Sequence, residues 1–112
     1  MIIALDYDGT YTEDPGMWMV FITSAESRGH RVVVVTMRYK SEGIDKTLES
    51  YIGEENVFYS SRTAKKQYMK NIGIQPNVWI DDHPQSVFLD AEQIWGVSLP
   101  EGHTDSNNAV RE

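Results

Sequence analysis

Apolar positions in this chain fall into two kinds of block that take turns. Residues 2–5, 32–35 and 78–80 are short continuous runs dominated by Val and Ile. They are too short for helices and lack the alternation of a half-exposed strand, so they predict strands of a parallel sheet, with 2–5 and 32–35 buried in it. Between them, apolar residues recur at helical spacing. Asp14 followed by Pro15 offers an N-cap acceptor and then a residue suited to the first helical position. Trp18, Phe21, Ile22 and Ala25 form one face of that helix, Met17, Met19 and Val20 broaden it, and Gly29 is its stop. A second helix is predicted over 41–52, with Ile44, Leu48, Tyr51 and Ile52 inward and Gly53 closing it. A third spans 63–71 before Gly73, and a fourth spans 84–93 with Val87, Phe88 and Ala91 inward. Weaker strand signals lie at 56–59 and 94–97. The resulting order, β-α-β-α-β-α-β-α-β, predicts a parallel sheet of about five strands with right-handed crossovers, that is, a single Rossmann-like three-layer α/β domain. Residues 1–98 form it, and 99–112 read as a polar, frayed tail.

Composition narrows this picture. A chain of 112 residues suits one domain, and 40% apolar with 24% charged residues is a globular balance, not a disordered one. No apolar run approaches the ~20 residues of a membrane span, and no signal-peptide pattern is present, so a cytoplasmic location away from membranes is the expectation. Cysteine is absent, which removes disulfides and thiolate metal sites. The net charge of −7 disfavours a protein that holds nucleic acid mainly by counterion release. It leaves room for one that docks a polynucleotide end in a small basic site.

The chemistry lies where the strands end. The first run stops at Asp6-Tyr-Asp-Gly-Thr10, placing two carboxylates one residue apart at the end of a buried strand. Each must be hydrogen-bonded, paired or bound to a metal, or else neutralise. Asp-Gly is also ordinary turn punctuation, so alone the motif reads equally as a polar turn. The second strand ends in Thr36, Met37 and Arg38. A hydroxyl there either caps a turn or donates to an oxyanion. Lys65 opens the third helix on its apolar side, where it either snorkels to solvent or meets an anion. The 78–80 strand ends in Asp81-Asp82-His83-Pro84, a second pair of adjacent carboxylates, with His83 read as a helix-start residue. In a parallel sheet all of these land on one edge. A hydroxyl, a cation and up to four carboxylates suit a divalent cation and a phosphate, and hard oxygen ligands suit Mg²⁺.

This set resembles the haloacid dehalogenase (HAD) superfamily of phosphotransferases. Asp6-Tyr-Asp-Gly-Thr10 matches its first motif, Thr36 its second, Lys65 its third and Asp81-Asp82 its fourth. The segment 79–84 is also similar to the fourth motif of members acting on phosphoproteins or polynucleotide ends. The resemblance implies a Mg²⁺-dependent phosphomonoester hydrolase working through an aspartyl-phosphate. In it Asp6 is the nucleophile, Asp8 the general acid and base with Tyr7 as spacer, and Thr36 and Lys65 the phosphate-binding pair. The implied metal ligands are Asp6, the Asp8 main-chain carbonyl and Asp82, with Asp81 acting through water or from behind. Lys66 substitutes for Lys65 if the helix starts one residue later. Neither 11–31 nor 37–64 has room for the cap domain many members carry. An open site fits a macromolecular phosphate, on a polynucleotide end or a phosphoprotein, or a small substrate enclosed by a homo-oligomer. Arg38 and Tyr39 are then candidates for substrate contact.

Two further readings compete. One is a metal- or phosphate-binding module without turnover, serving regulation or assembly. The other, a phospho-acceptor receiver domain, needs an aspartate at the end of the third strand, where Tyr59, Ser60 and Ser61 stand instead.

Overall fold

The computed structural model describes residues 1–96 and residue 101. Four parallel strands form one sheet in the order β3-β2-β1-β4, with β1 at Ile2–Leu5, β2 at Arg31–Thr36, β3 at Val57–Tyr59 and β4 at Val78–Ile80. The two long apolar runs are the central strands, and every residue from Val32 to Thr36 is buried. Alternate side chains point to opposite faces. Ile3, Leu5, Val32 and Val34 pack beneath α1 (Pro15–Ser27) and α2 (Lys46–Ile52) through Ile22, Ala25, Leu48 and Ile52. Ala4, Val33 and Val35 pack on the other side against Met69 of α3 (Lys65–Asn71). Two short helices, α4 (Gln85–Phe88) and α5 (Ala91–Trp95), complete the described chain.

The α/β class and the parallel sheet agree with the sequence pattern, but the strand count is four. Ile94 and Trp95 end α5 instead of starting a fifth strand, Gly96 caps that helix in the left-handed region, and Val97 lies outside the described residues. An apolar run this short is compatible with either element, and the Asp90 capping box, with Gln93 answering it, decides for helix. Asp90 also divides the predicted 84–93 helix in two, because its Oδ1 accepts the Ala64 amide at 2.7 Å. Phe88, expected inward, is 65% exposed. The second helix starts at Lys46 behind an Asp45 cap, so 41–45 is loop. Tyr51, also expected inward, is exposed and bonds its hydroxyl to Thr23. On α1, Val20 and Met17 face solvent and Trp18 is half-buried. Apart from residue 101, the predicted 99–112 tail lies outside the described residues.

The sheet order fixes where a site can form. The chain moves outward from β1 to β2 to β3, then crosses back to place β4 on the other side of β1. The carboxyl ends of β1 and β4 thus flank a topological switch point, the usual ligand crevice of an open α/β sheet. The Asp6 amide donates to the Ile80 carbonyl there, which locks the two strand ends together.

Candidate active site

Asp6, Asp8, Thr36 and Lys65 are all buried at this edge, and Asp81 is half-buried beside them. Lys65 decides how they are held. Its Nζ donates to Asp6 Oδ1 and to Asp81 Oδ2, each at 2.7 Å, and the residue is 1% exposed. Snorkelling is thereby ruled out, and so is Lys66 for this position, since Lys66 is exposed on the next face of α3. Burial alone lowers the Lys65 pKa, but Asp6 and Asp81 more than reverse this and hold it well above its ordinary 10.5. Lys65 is a permanent ammonium.

Asp6 has a second anchor, because the Thr10 hydroxyl donates to its Oδ2 at 3.0 Å. The same hydroxyl lies 3.3 Å from Asp82 Oδ1 and accepts the Asp82 amide at 3.2 Å. Gly9 makes this approach possible. Its φ is +84°, so the position favours glycine by conformation, and a Cβ there would meet the Asp82 carboxylate, which would have to shift. Asp81 is held from three directions: by Lys65, by the Ser86 hydroxyl on Oδ2 at 3.0 Å, and by the His83 amide on Oδ1 at 2.9 Å. His83 itself stacks on Trp95 and starts the loop into α4.

Asp8 is held differently. Arg38 forms a bidentate pair with it, Nε to Oδ2 at 2.8 Å and Nη2 to Oδ1 at 2.7 Å. This pairing pushes the guanidinium pKa further above its usual value. Arg38 also donates to the Gly43 carbonyl and lies over the Tyr7 ring. Its segment is pinned in turn: Glu42 accepts the Tyr39 amide and pairs with Arg62 at 3.1 Å, and the Tyr7 hydroxyl accepts the Asp45 amide. Tyr7 is therefore more than a spacer. It supports the loop that carries Arg38. Thr36 Oγ1 accepts the Arg38 amide at 3.2 Å, which leaves its own proton free to be donated.

Asp6, Asp81 and Asp82 each offer a carboxylate oxygen within 4.8 Å of the others, whereas the Asp8 carboxylate is not in this group. Three carboxylates against one ammonium leave an excess of two negative charges when all are ionised, in a pocket of hard oxygen donors. The donor set and the charge both fit a divalent cation such as Mg²⁺. Thr10, Ser86, Glu42 and Arg62 are the site residues that the strand-end pattern did not single out. Thr10 was within reach as the last residue of the opening motif. The other three are recognisable only from the fold. Among the described residues no helix is long and apolar enough to cross a membrane. No protein-family model, curated protein or solved structure matches the chain.

Proposed function

We propose that this protein is a Mg²⁺-dependent phosphomonoester hydrolase of the capless HAD kind. The observation that carries the reading is the buried Lys65 ammonium clamped between Asp6 and Asp81 at the switch point, beside a third carboxylate. Burying so many charges costs stability, and a core has no use for them.

In the proposed reaction one Asp6 oxygen attacks phosphorus, the ester P–O bond breaks, and the leaving oxygen takes a proton from the Asp8 carboxyl. Water then gives a proton to Asp8 and attacks the same phosphorus. The bond to Asp6 breaks, phosphate departs and the carboxylate is restored. Lys65 and the Thr36 hydroxyl neutralise charge on the phosphoryl oxygens in both steps. Asp6, Asp82 and the Asp8 main-chain carbonyl would hold Mg²⁺, with Asp81 engaged by Lys65 and Ser86 behind them. When bound, the ion screens Asp6 from its anionic substrate. For Asp8 to act, its bidentate pair with Arg38 has to open, so Arg38 moves from Asp8 toward the incoming substrate.

The deciding experiment is hydrolysis of an aryl phosphate with Mg²⁺, with EDTA, and with Asp6→Asn. Metal-dependent turnover that disappears in the variant is the expected result. Absence of turnover together with absence of beryllium fluoride or phosphate binding at Asp6 would leave the non-catalytic module.

A further inference from the structure

Among the described residues some cations are paired with carboxylates and others, Arg28, Arg31, Lys40, Lys66 and Lys70, are not. Arg38, Lys46, Arg62 and Lys65 are each paired with a carboxylate. Lys66 and Lys70 are exposed, stand one turn apart on α3, and have no carboxylate partner among the described residues. Two shallow clefts of about 140 and 200 Å³ share this lysine pair. One runs along β4 past Gln75, Pro76 and Trp79, and the other runs along α4 past Val87 and Phe88. Among the described residues no Asp or Glu lines either cleft. The contrast with the cleft at the opposite sheet edge is instructive. That one, about 350 Å³, has Lys40 but also Glu49 and Glu54 in its wall and would repel a polyanion.

Aromatic rings flank the lysine pair. Phe88 is 65% exposed with the Lys66 ammonium 5.6 Å from its ring centroid, and Trp79 is half-buried on β4. A large exposed ring on a helix that buries its neighbour Val87 adds nothing to the core. The clefts are built from the elements that also carry the site. Lys66 follows Lys65 directly, Trp79 is two residues before Asp81, and α4 follows the Asp81–Asp82 loop.

We infer that this groove is the docking surface of a single-stranded polynucleotide whose terminal phosphate enters the Asp6 site. The inference rests on the phosphatase reading and names its substrate class. Lys66 and Lys70 take backbone phosphates upstream of the reacting one, and the ring faces of Phe88 and Trp79 stack bases without sequence preference. A phosphopeptide is the weaker match. It brings one phosphate, which Lys65 and Thr36 already serve, and leaves the two further lysines without a partner.

The test uses binding and turnover separately. A short oligothymidylate with a terminal phosphate is titrated by fluorescence anisotropy against the wild type and against Lys66→Gln/Lys70→Gln, over a salt series and with Mg²⁺ present. Hydrolysis of the same oligonucleotide and of an aryl phosphate is measured alongside. Unchanged circular dichroism establishes that the variant is folded. The expected result is salt-dependent binding weakened about tenfold or more in the variant, with the salt slope reduced by about 0.7 for each lysine removed. Phe88→Ala should weaken binding several-fold without changing the slope. Lysine-dependent binding without hydrolysis of either substrate would sustain the groove as a polynucleotide docking surface and sink the phosphatase reading. Aryl phosphate hydrolysis without oligonucleotide binding would do the reverse. Lysine-dependent capture of an acidic phosphopeptide, with no binding of the oligonucleotide, would also overturn it.

Discussion

Asp6 and Asp8 are two residues apart and equally buried, at 3% and 4% exposure, yet the protein holds them by different means. The partner of Asp6 comes from a helix that packs on the sheet. Lys65 is wholly buried, also grips Asp81, and shares Asp6 with Thr10. The partner of Asp8 comes from a loop. Arg38 keeps about a fifth of its side chain in solvent and leans on Tyr7 and a backbone carbonyl. A fixed ammonium suits a carboxylate that must stay ionised and in place. A displaceable guanidinium suits one that must exchange protons. The two halves of the site thus differ in stiffness, in line with the roles proposed for them.

The comparison breaks first at Lys65. Lys65→Met leaves Asp6 and Asp81 buried against each other with no cation between them, and the expected loss is about 3–5 kcal/mol of stability together with the loss of turnover. Urea denaturation at neutral pH measures it. The pH dependence has a definite sign. The folded-state pKa of Lys65 is raised above its unfolded value near 10.5, so its contribution is complete below that pH and falls as pH rises through the higher folded value. The stability difference between wild type and variant should stay constant through neutral pH and shrink only above about 10.5. A difference that already shrinks near neutrality would mean that Lys65 is not clamped as described.

Much of the Asp6 side was legible in the sequence, and little of the Asp8 side was. Residues 2–5 and 32–36 become the two central strands because continuous apolar runs fit the buried middle of a parallel sheet, whereas 78–80 forms the partly exposed edge strand β4. The strand ends then deliver Asp6, Thr36 and Asp81 to one edge. Lys65 was placed by its spacing to Met69, which faces the same core. Arg38 was noticed for its position after Thr36, but its bond to Asp8 depends on the loop at 37–45. Its 41–45 part falls within the predicted 41–52 helix because Ile44 is in helical register with Leu48. What keeps it open is tertiary: Gly43 offers its carbonyl to Arg38, and Glu42 turns back to Tyr39 and Arg62. The division of the 84–93 segment has the same origin, since Asp90 answers an amide 26 residues away.

Gly9→Ala is the next test in size. A left-handed residue with a Cβ costs about 1–2 kcal/mol in the backbone alone, and the overlap with Asp82 adds to it. The effect should exceed that of Gly29→Ala, where φ is +88° but no atom lies within 4 Å of the new Cβ. The excess is a measure of how tightly the opening loop is seated on the Asp82 loop. Equal losses at the two glycines would mean that Asp82 yields freely, and the Asp6 side would then be no stiffer than the Asp8 side.

The smallest effect separates the two ion pairs by salt. Double-mutant cycles for Arg38 with Asp8, using Met and Asn replacements, should give a coupling that falls by a few tenths of a kcal/mol as salt is raised toward the molar range. The guanidinium is partly solvated, and screening reaches pairs in proportion to their contact with water. The same cycle on Lys65 and Asp6, both nearly free of solvent contact, should hold its value across the series. If both couplings fall together, the Asp6 pair opens as readily as the other and the contrast in stiffness disappears. If neither falls, Arg38 is as fixed as Lys65. Asp8 would then have no way to reach a proton, and the assignment of general acid would have to move to another group.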